Sequence, residues 1–316
     1  MENTFKRINR HIFISVKEFM KKHMNSFYSF VRYWILMFAV TYRRQRKLKS
    51  LLKKDPFFHF NYKDISFLIA LDPKNGYVDE KICDDGVFEP EMLDEFIKYI
   101  HDGMTFADIG ANIGQHTLFA SRLVGENGHV ISFEPIPHLY EQIKKSVEGN
   151  KMHNVKVINA GCGNREETLN IYMDSSNLAA SSLIIPNTTN KLTTTPVHII
   201  RPEPILLPYK KIDVIKIDVE GYEYQTLLGL EKILERDKPV IFLEYTPTFY
   251  EKNKGENKEH DGLLLLAFLQ KHGYKIKDLE GKYSSESKDL VAWGKRFDEL
   301  TKHLPHRQTN IICTVA

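Results

Sequence analysis

The stretch at 105–117, TFADIGANIGQHT, constrains this chain more than any other. An apolar pair (Phe106, Ala107) leads into the acid Asp108, then into a Gly-x-Asn-x-Gly turn made by Gly110, Asn112 and Gly114, then into helix-compatible residues at 115–123. That order reads as a buried strand, a glycine turn and a helix start. In α/β sheets a nucleotide-like ligand sits at such a junction, because glycines let it approach the backbone and the helix start offers unpaired N–H groups.

The alternation continues downstream. Strands are expected at 130–133, 155–160, 213–217, 240–243, 274–279 and 310–315, and helices at 138–149, 222–234 and 263–272. Strands alternating with helices of this length imply parallel βαβ units in a doubly wound, mostly parallel sheet, with the ligand cleft at the carboxyl ends of the strands. Four acids end four of these strands: Asp108, Glu134, Asp218 and Glu244. All four are expected to face one cleft. Two further extended segments, 169–173 and 197–200, flank a polar stretch at 174–195 rich in Ser, Thr and Asn, expected as a loop over the site. Upstream, 57–71 alternates loosely as strands do, the DPKNG at 72–76 is a turn, and 88–100 places Met92, Leu93, Phe96, Ile97 and Ile100 on one helical face. That helix is expected to lean on the edge of the sheet. No repeat period is present, which excludes solenoids.

Charge divides the chain. Residues 1–54 carry 14 Lys and Arg against 2 Glu, and the other 262 residues carry 30 Lys and Arg against 39 Asp and Glu. The expected organisation is a basic amphipathic helical arm at 1–54, a cap of strands and a helix at 55–100, and the α/β domain at 101–316. In the arm Phe5, Ile8, Ile12, Val16, Phe19, His23, Phe27, Val31, Trp34 and Phe38 recur three or four apart, the stripe of an amphipathic helix. The apolar run at 27–42 is interrupted by Arg32 and is shorter than the roughly 20 residues a spanning helix needs. No small-residue cleavage site follows it. Two readings of the arm stand side by side. It lies on an anionic membrane with RRQRKLKSLLKK (43–54) as an electrostatic anchor, or its stripe packs on the body or on a second copy in a homo-oligomer. Nucleic-acid binding is a weaker third. Three scattered cysteines without a CxxC pair argue against disulfides and structural zinc, and for a reducing, cytoplasmic setting, with the arm peripheral at the inner face of a membrane.

The glycine turn lacks the GxGxxG spacing of a dinucleotide site and the GK[ST] of a phosphate loop. An acid directly before the glycines suits a ligand carrying a cation or an amine. Glu134, at the end of the next strand, is placed to accept hydrogen bonds from both ribose hydroxyls. An adenosine with a positively charged, amino-acid-bearing tail meets these demands, and S-adenosylmethionine is that molecule.

Five motifs carry a resemblance: DIGANIG (108–114), FEP (133–135), NAGCGN (159–164), IDVIKIDVEGYE (212–223) and PVIFLEY (239–245). In these the chain resembles the FkbM family of S-adenosylmethionine-dependent methyltransferases, over about 88–279 and the closing strand NIICTV. The resemblance implies a Rossmann-like class I methyltransferase fold with a seven-stranded sheet, the last strand antiparallel. It also implies O-methylation of a hydroxyl, on a sugar or a polyketide-type product. Under it the methionine part of the cofactor meets Asp108, Gly110, Asn112 and Gly114, Glu134 holds the ribose, and the backbone at Ala160 and Gly161 borders the adenine. The 1–54 arm has no counterpart in the shared core.

Transfer from a sulfonium needs alignment of two bound reactants and removal of the acceptor proton. The expected bases are Asp218, Glu220 and Glu244, with His198 a weaker fourth; Asp218 is favoured because it ends the strand next to the cofactor strand in the implied topology. Competing structural roles are a helix cap for Asp218, first-turn acids for Glu220 and Glu223, and an ion pair for Lys216. No HxxxH or HxH pair marks a metal site, although Asp218 and Glu244 could share a magnesium ion. The expected acceptor is a glycan, glycolipid or small natural product. Methylation of nucleic acid is weaker because the NPPY-type tetrad is absent, and a non-catalytic adenosine-binding protein is weaker still because Asp108, Glu134 and Asp218 are all present.

Overall fold

The computed structural model describes residues 42–174, 177–182, 192–247, 261–279, 287–302 and 307–315. Helix α1 (42–52) leads to an antiparallel hairpin of β1 (Phe58–Tyr62) and β2 (Ile65–Ile69), then to helices α2 (Tyr77–Asp85) and α3 (Pro90–Tyr99). The alternation follows: β3 (Thr105–Ile109), α4 (Gln115–Val124), β4 (His129–Phe133), α5 (Pro137–Gly149) and β5 (Val155–Ile158). Next come β6 (Gly161–Cys162), β7 (Glu167–Asp174), β8 (Asn177–Ser182), β9 (Leu192–Ile200) and the short helix α6 (Glu203–Leu206). The chain closes with β10 (Val214–Ile217), α7 (Glu223–Leu228), α8 (Glu231–Asp237), β11 (Val240–Tyr245), α9 (Asp261–Lys271), β12 (Tyr274–Asp278), α10 (Leu290–Thr301) and β13 (Thr309–Val315).

Seven strands form the central sheet in the order β12-β13-β11-β10-β3-β4-β5. The pairings β10–β11, β10–β3, β3–β4 and β4–β5 are parallel, and β13 runs antiparallel to both its neighbours. This is the Rossmann-like class I methyltransferase arrangement, in which β3 and β10 lie side by side at the middle. Alternation along the strands builds two cores. Phe106, Val130, Val214 and Phe242 face one, with the hairpin, α3, α4 and α5, while Ala107, Ile131, Ile215 and Ile241 face the other, with α7 to α10. All five residues of β3 and all four of β10 are buried, as strands covered on both faces must be.

Helix α3 starts with Pro90, whose missing N–H is no loss in a first turn, and buries Met92, Leu93 and Phe96. Its position differs from expectation. The Phe96 ring lies 5.3 Å from Phe106 on β3 and 4.8 Å from Phe242 on β11, so α3 crosses the middle of the sheet and not its edge. The central strands expose apolar residues on that face, and α3 is the element that covers them.

The stretch expected as a loop at 174–195 holds β8 and the start of β9. Thr193, Thr194 and Thr195 are β-branched and pair with Met173, Tyr172 and Ile171, giving a second sheet of order β6-β9-β7-β8. The helix expected at 222–234 divides into α7 and α8 at Gly229, whose backbone passes so close to Gly163 that a Cβ would lie 2.1 Å from its carbonyl oxygen. Helices α2 and α10 were not expected. The former is mostly polar, and the latter is set by an Asp289 side chain that accepts from the Ala292 N–H at 3.0 Å.

Residues 1–41 of the basic arm lie outside the described residues. Within α1, Leu48 is fully buried and Arg44 Nε lies 2.7 Å from Asp84, while Arg43, Arg46 and Lys49 stay exposed. Among the described residues no helix is long and apolar enough to cross a membrane.

Candidate active site

The turn after β3 takes its shape from three left-handed residues, Gly110 (φ 80°), Asn112 (φ 54°) and Gly114 (φ 88°). At Gly110 glycine is required twice over, since a Cβ there would stand 1.8 Å from the Asp218 carbonyl oxygen. The N–H groups of Gly110 and Ala111 both donate to the Phe133 carbonyl at 3.0 Å, tying the turn to the end of β4. One residue on, Glu134 accepts from the Asn112 N–H at 2.8 Å and from the Ile136 N–H at 2.9 Å. Burial pushes the Glu134 carboxyl up to about 7 against those two N–H donors.

Beside the turn is a cavity of about 290 Å³ bordered by Gly110, Asn112, Glu134, Gly161, Asp218, Glu220 and Glu244 among others. Asp218, Glu220 and Glu244 bring one carboxylate oxygen each within 4.8 Å of the others, a spacing that a hard divalent cation could bridge. Burial, then the charge of Asp218, pushes Glu220 and Glu244 well above the ordinary carboxylate range.

Under the turn lies an ion pair. Lys216, 3% exposed on β10, donates to the Gly110 carbonyl at 2.9 Å and stands 3.3 Å from Asp218 and 3.6 Å from Asp108. Burial works against its charge, but Asp218, Asp108 and Glu89 outweigh it and hold the ammonium above the usual lysine value. Asp108 is fully buried and accepts from the Thr117 hydroxyl at 2.6 Å. Burial pushes its carboxyl up, against the pull of Lys216.

Of the residues singled out from the sequence, Gly110, Asn112, Glu134, Gly161, Asp218, Glu220 and Glu244 border one cavity. Asp108 does not. It sits beneath the turn, where it meets Lys216 instead of the cavity, because the strand still has Ile109 to run before the turn begins. Gly114 is the N-terminal cap residue of α4, and Ala160 is buried just before the cavity wall. Exposed on β9, His198 has buried neighbours, Val197 and Ile199, on the other face. Glu223 accepts from the N–H groups of Val219 and Gly221 and so shapes the loop that carries Glu220.

Glu89 escaped the sequence reading. It caps α3 at φ 48°, borders the cavity, and stands 3.7 Å from the buried ring of His116. Burial, then the charge of Asp218, pushes its carboxyl up to about 7. The one available signal was Glu-Pro at a helix start, which does not say which way the side chain points.

The Methyltransferase FkbM domain family matches residues 108–276. A protein-L-isoaspartate O-methyltransferase of Methanothrix thermoacetophila is 33% identical over 87 residues, which are 28% of this chain and 41% of that one. Methyltransferase sdnD of Sordaria araneosa is 26% identical over 156 residues, 40% of this chain and 60% of that one. The chain thus spans between two and three fifths of the length of these relatives. The crystal structure of methyltransferase FkbM from Methylobacillus flagellatus is similar with a TM-score of 0.39 and 12% identity, covering 86% of this chain and 59% of that one.

The cavity suits the cofactor that this family uses. Asn112 Oδ1 is buried there without a hydrogen-bond partner among the described residues, ready for a donor such as an ammonium group. Each Glu134 oxygen already takes one N–H and keeps a second lone pair for a hydroxyl. Carboxylates crowd the cavity around the single ammonium of Lys216, an excess that a sulfonium relieves. With its family domain spread over this fold and this cleft, the chain belongs to the FkbM methyltransferase family.

Proposed function

We propose that this enzyme methylates a hydroxyl oxygen of a glycan, glycolipid or small natural product. The observation that carries the reading is the position of Asp218. Its N–H donates to the Ile109 carbonyl at 3.0 Å, its own carbonyl abuts Gly110, and its side chain is 35% exposed beside Lys216. A carboxylate so placed meets an acceptor oxygen next to the turn that holds the donor. The O-methyltransferase name of the archaeal relative supports oxygen as the accepting atom.

S-adenosylmethionine, when bound, supplies an activated methyl group. Gly110, Asn112 and Gly114 shape the turn against it, Glu134 takes the ribose hydroxyls, and Ala160 and Gly161 border the adenine. Asp108 acts from below, by holding Lys216. Asp218 accepts the acceptor proton while Glu220 and Glu244 orient the hydroxyl, and the cap at 55–100 closes the far wall through Glu89. The basic arm at 1–54 keeps the cleft near an anionic membrane surface at its cytoplasmic side; the exposure of Arg43, Arg46 and Lys49 supports this.

The test is transfer from radiolabelled S-adenosylmethionine to fractionated lipid, glycan and small-molecule extracts, with nucleic acid as a parallel arm. Label in an alkali-stable ether of one of the first three fractions is the expected result. Label in nucleic acid alone would overturn the proposal. Flotation with anionic liposomes, comparing the natural chain with an Arg43→Glu, Arg46→Glu, Lys49→Glu triple variant, tests the arm; equal flotation removes the role given to those three side chains.

A further inference from the structure

A second group of ligating side chains lies at the other end of the sheet from the cleft. Glu231 and Glu235 are one turn apart on α8, and His272 directly follows α9. One ligand atom from each lies within 4.8 Å of the other two. The place is the amino end of β11: Lys238 Nζ lies 3.3 Å from the His272 carbonyl, and the Tyr274 hydroxyl donates to the Pro239 carbonyl at 3.1 Å.

His272 fixes the chemistry. Its side chain is only 5% exposed, and its Nδ1 is 2.8 Å from the Phe268 carbonyl. A carbonyl oxygen can only accept, so Nδ1 carries a proton and Nε2 is the nitrogen left to face other groups. Nε2 stands 3.5 Å from Glu231 Oε1. Two acceptors that face each other at this distance repel, and a cation between them removes the repulsion. A proton on Nε2 would serve, and so would a metal. The separation matches the roughly 3.3 Å between two ligands of a tetrahedral ion whose bonds are about 2.0–2.1 Å long. An imidazole whose far nitrogen donates to a backbone carbonyl is also the usual form of a metal-bound histidine. The carbonyl end of α9 adds a favourable field for a cation.

We propose that Glu231, Glu235 and His272 bind a divalent transition-metal ion of the zinc class, with water completing the coordination, as a clip between α8 and the end of α9. Glu235 is exposed and free to swing in. One charged neighbour opposes the site: Lys271 Nζ lies 3.4 Å from Glu231 Oε1 and must leave it. Two further cations are nearby and are turned elsewhere: Arg236 to Asp237 at 2.6 Å and to the Leu207 carbonyl at 2.8 Å, and Lys238 to the His272 carbonyl at 3.3 Å.

The experiment is calorimetric titration of the full-length protein with zinc chloride, repeated on Glu231→Gln, Glu235→Gln, Lys271→Ala and Glu244→Gln. The first two are at the surface and leave the core intact. Both should weaken binding by about tenfold or more, Lys271→Ala should tighten it, and Glu244→Gln should affect only a separate binding event at the cleft carboxylates. Cobalt in place of zinc should show the absorption of a tetrahedral ion, lost in Glu231→Gln. Absence of binding at millimolar zinc, or binding that is indifferent to Glu231 and Glu235, would overturn the proposal.

Discussion

Lys216 donates to the carbonyl of Gly110 at 2.9 Å, so a side chain from β10 holds the turn that follows β3. The same ammonium faces Asp108 and Asp218, and this one group ties together the two strands and the turn between them. Replacing it leaves the fully buried Asp108 without a counter-charge, a change that typically costs about 3–5 kcal/mol. Lys216→Met should therefore lower the unfolding free energy at pH 7 by about that amount in urea titrations and weaken cofactor binding in calorimetry. A shift under about 1 kcal/mol would mean that Asp108 is neutral in the folded protein and the pair contributes little.

Gly110 and Gly103 both have a left-handed backbone, but only Gly110 is crowded. A Cβ on Gly103 meets nothing within 4 Å, whereas on Gly110 it would collide with the Asp218 carbonyl. Gly103→Ala should cost about 1 kcal/mol, the price of a left-handed alanine alone. In Gly110→Ala the turn must move off β10, and cofactor binding should be lost even where the chain still folds. Equal affinity in the two variants would contradict the close approach.

The raised carboxyls make stability depend on pH. Glu89, Glu134 and Asp79 are each pushed up to about 7, chiefly by burial, while unfolded carboxyls titrate near about 4. Between those values the folded chain binds more protons than the unfolded one, so stability falls as pH rises. The contribution is complete below about pH 4 and gone above about pH 7. Ligand-free protein should melt at a higher temperature at pH 5.5 than at pH 7.5. Glu244, pushed up by burial and by Asp218, adds to this, and Glu244→Gln should stabilise the protein at pH 7.5 and change little at pH 5. A melting temperature that rises from pH 5.5 to 7.5 would refute the account.

Much of the cleft was legible because strand ends are. Asp218 and Glu244 close apolar runs, and a parallel sheet brings such ends together whatever the rest of the chain does. Asp108 shows the limit. Its distance from the turn is one residue, and a period of two sends it to the opposite side from the one expected, into contact with Lys216. The 174–195 stretch misled because Ser, Thr and Asn suit loops, while Thr also suits strands, and pairing with β7 decided between them. Glu89 was invisible for another reason. Its place depends on where α3 crosses the sheet, which is set by Phe96 packing on Phe106 and on Phe242, the latter far away in sequence.

Five carboxyls border the cavity, and kinetics can separate the four on the side proposed for the acceptor, Asp218, Glu220, Glu244 and Glu89. Asp218 is next to the cofactor turn and touches Lys216, while Glu220 is itself left-handed at φ 52°, Glu244 is the last residue but one of β11 and Glu89 is at the N-cap position of α3. A base removes a proton in the transition state and contributes about 10²–10⁴ in rate, whereas a residue that only orients the hydroxyl acts mainly on KM. Asp218→Asn should thus lose kcat by that factor with cofactor affinity kept within a few-fold, and Glu220→Gln and Glu244→Gln should raise the acceptor KM with smaller losses in kcat. If Glu89→Gln shows the large kcat loss and Asp218→Asn does not, the proton goes to the cap and the assignment of Asp218 is wrong.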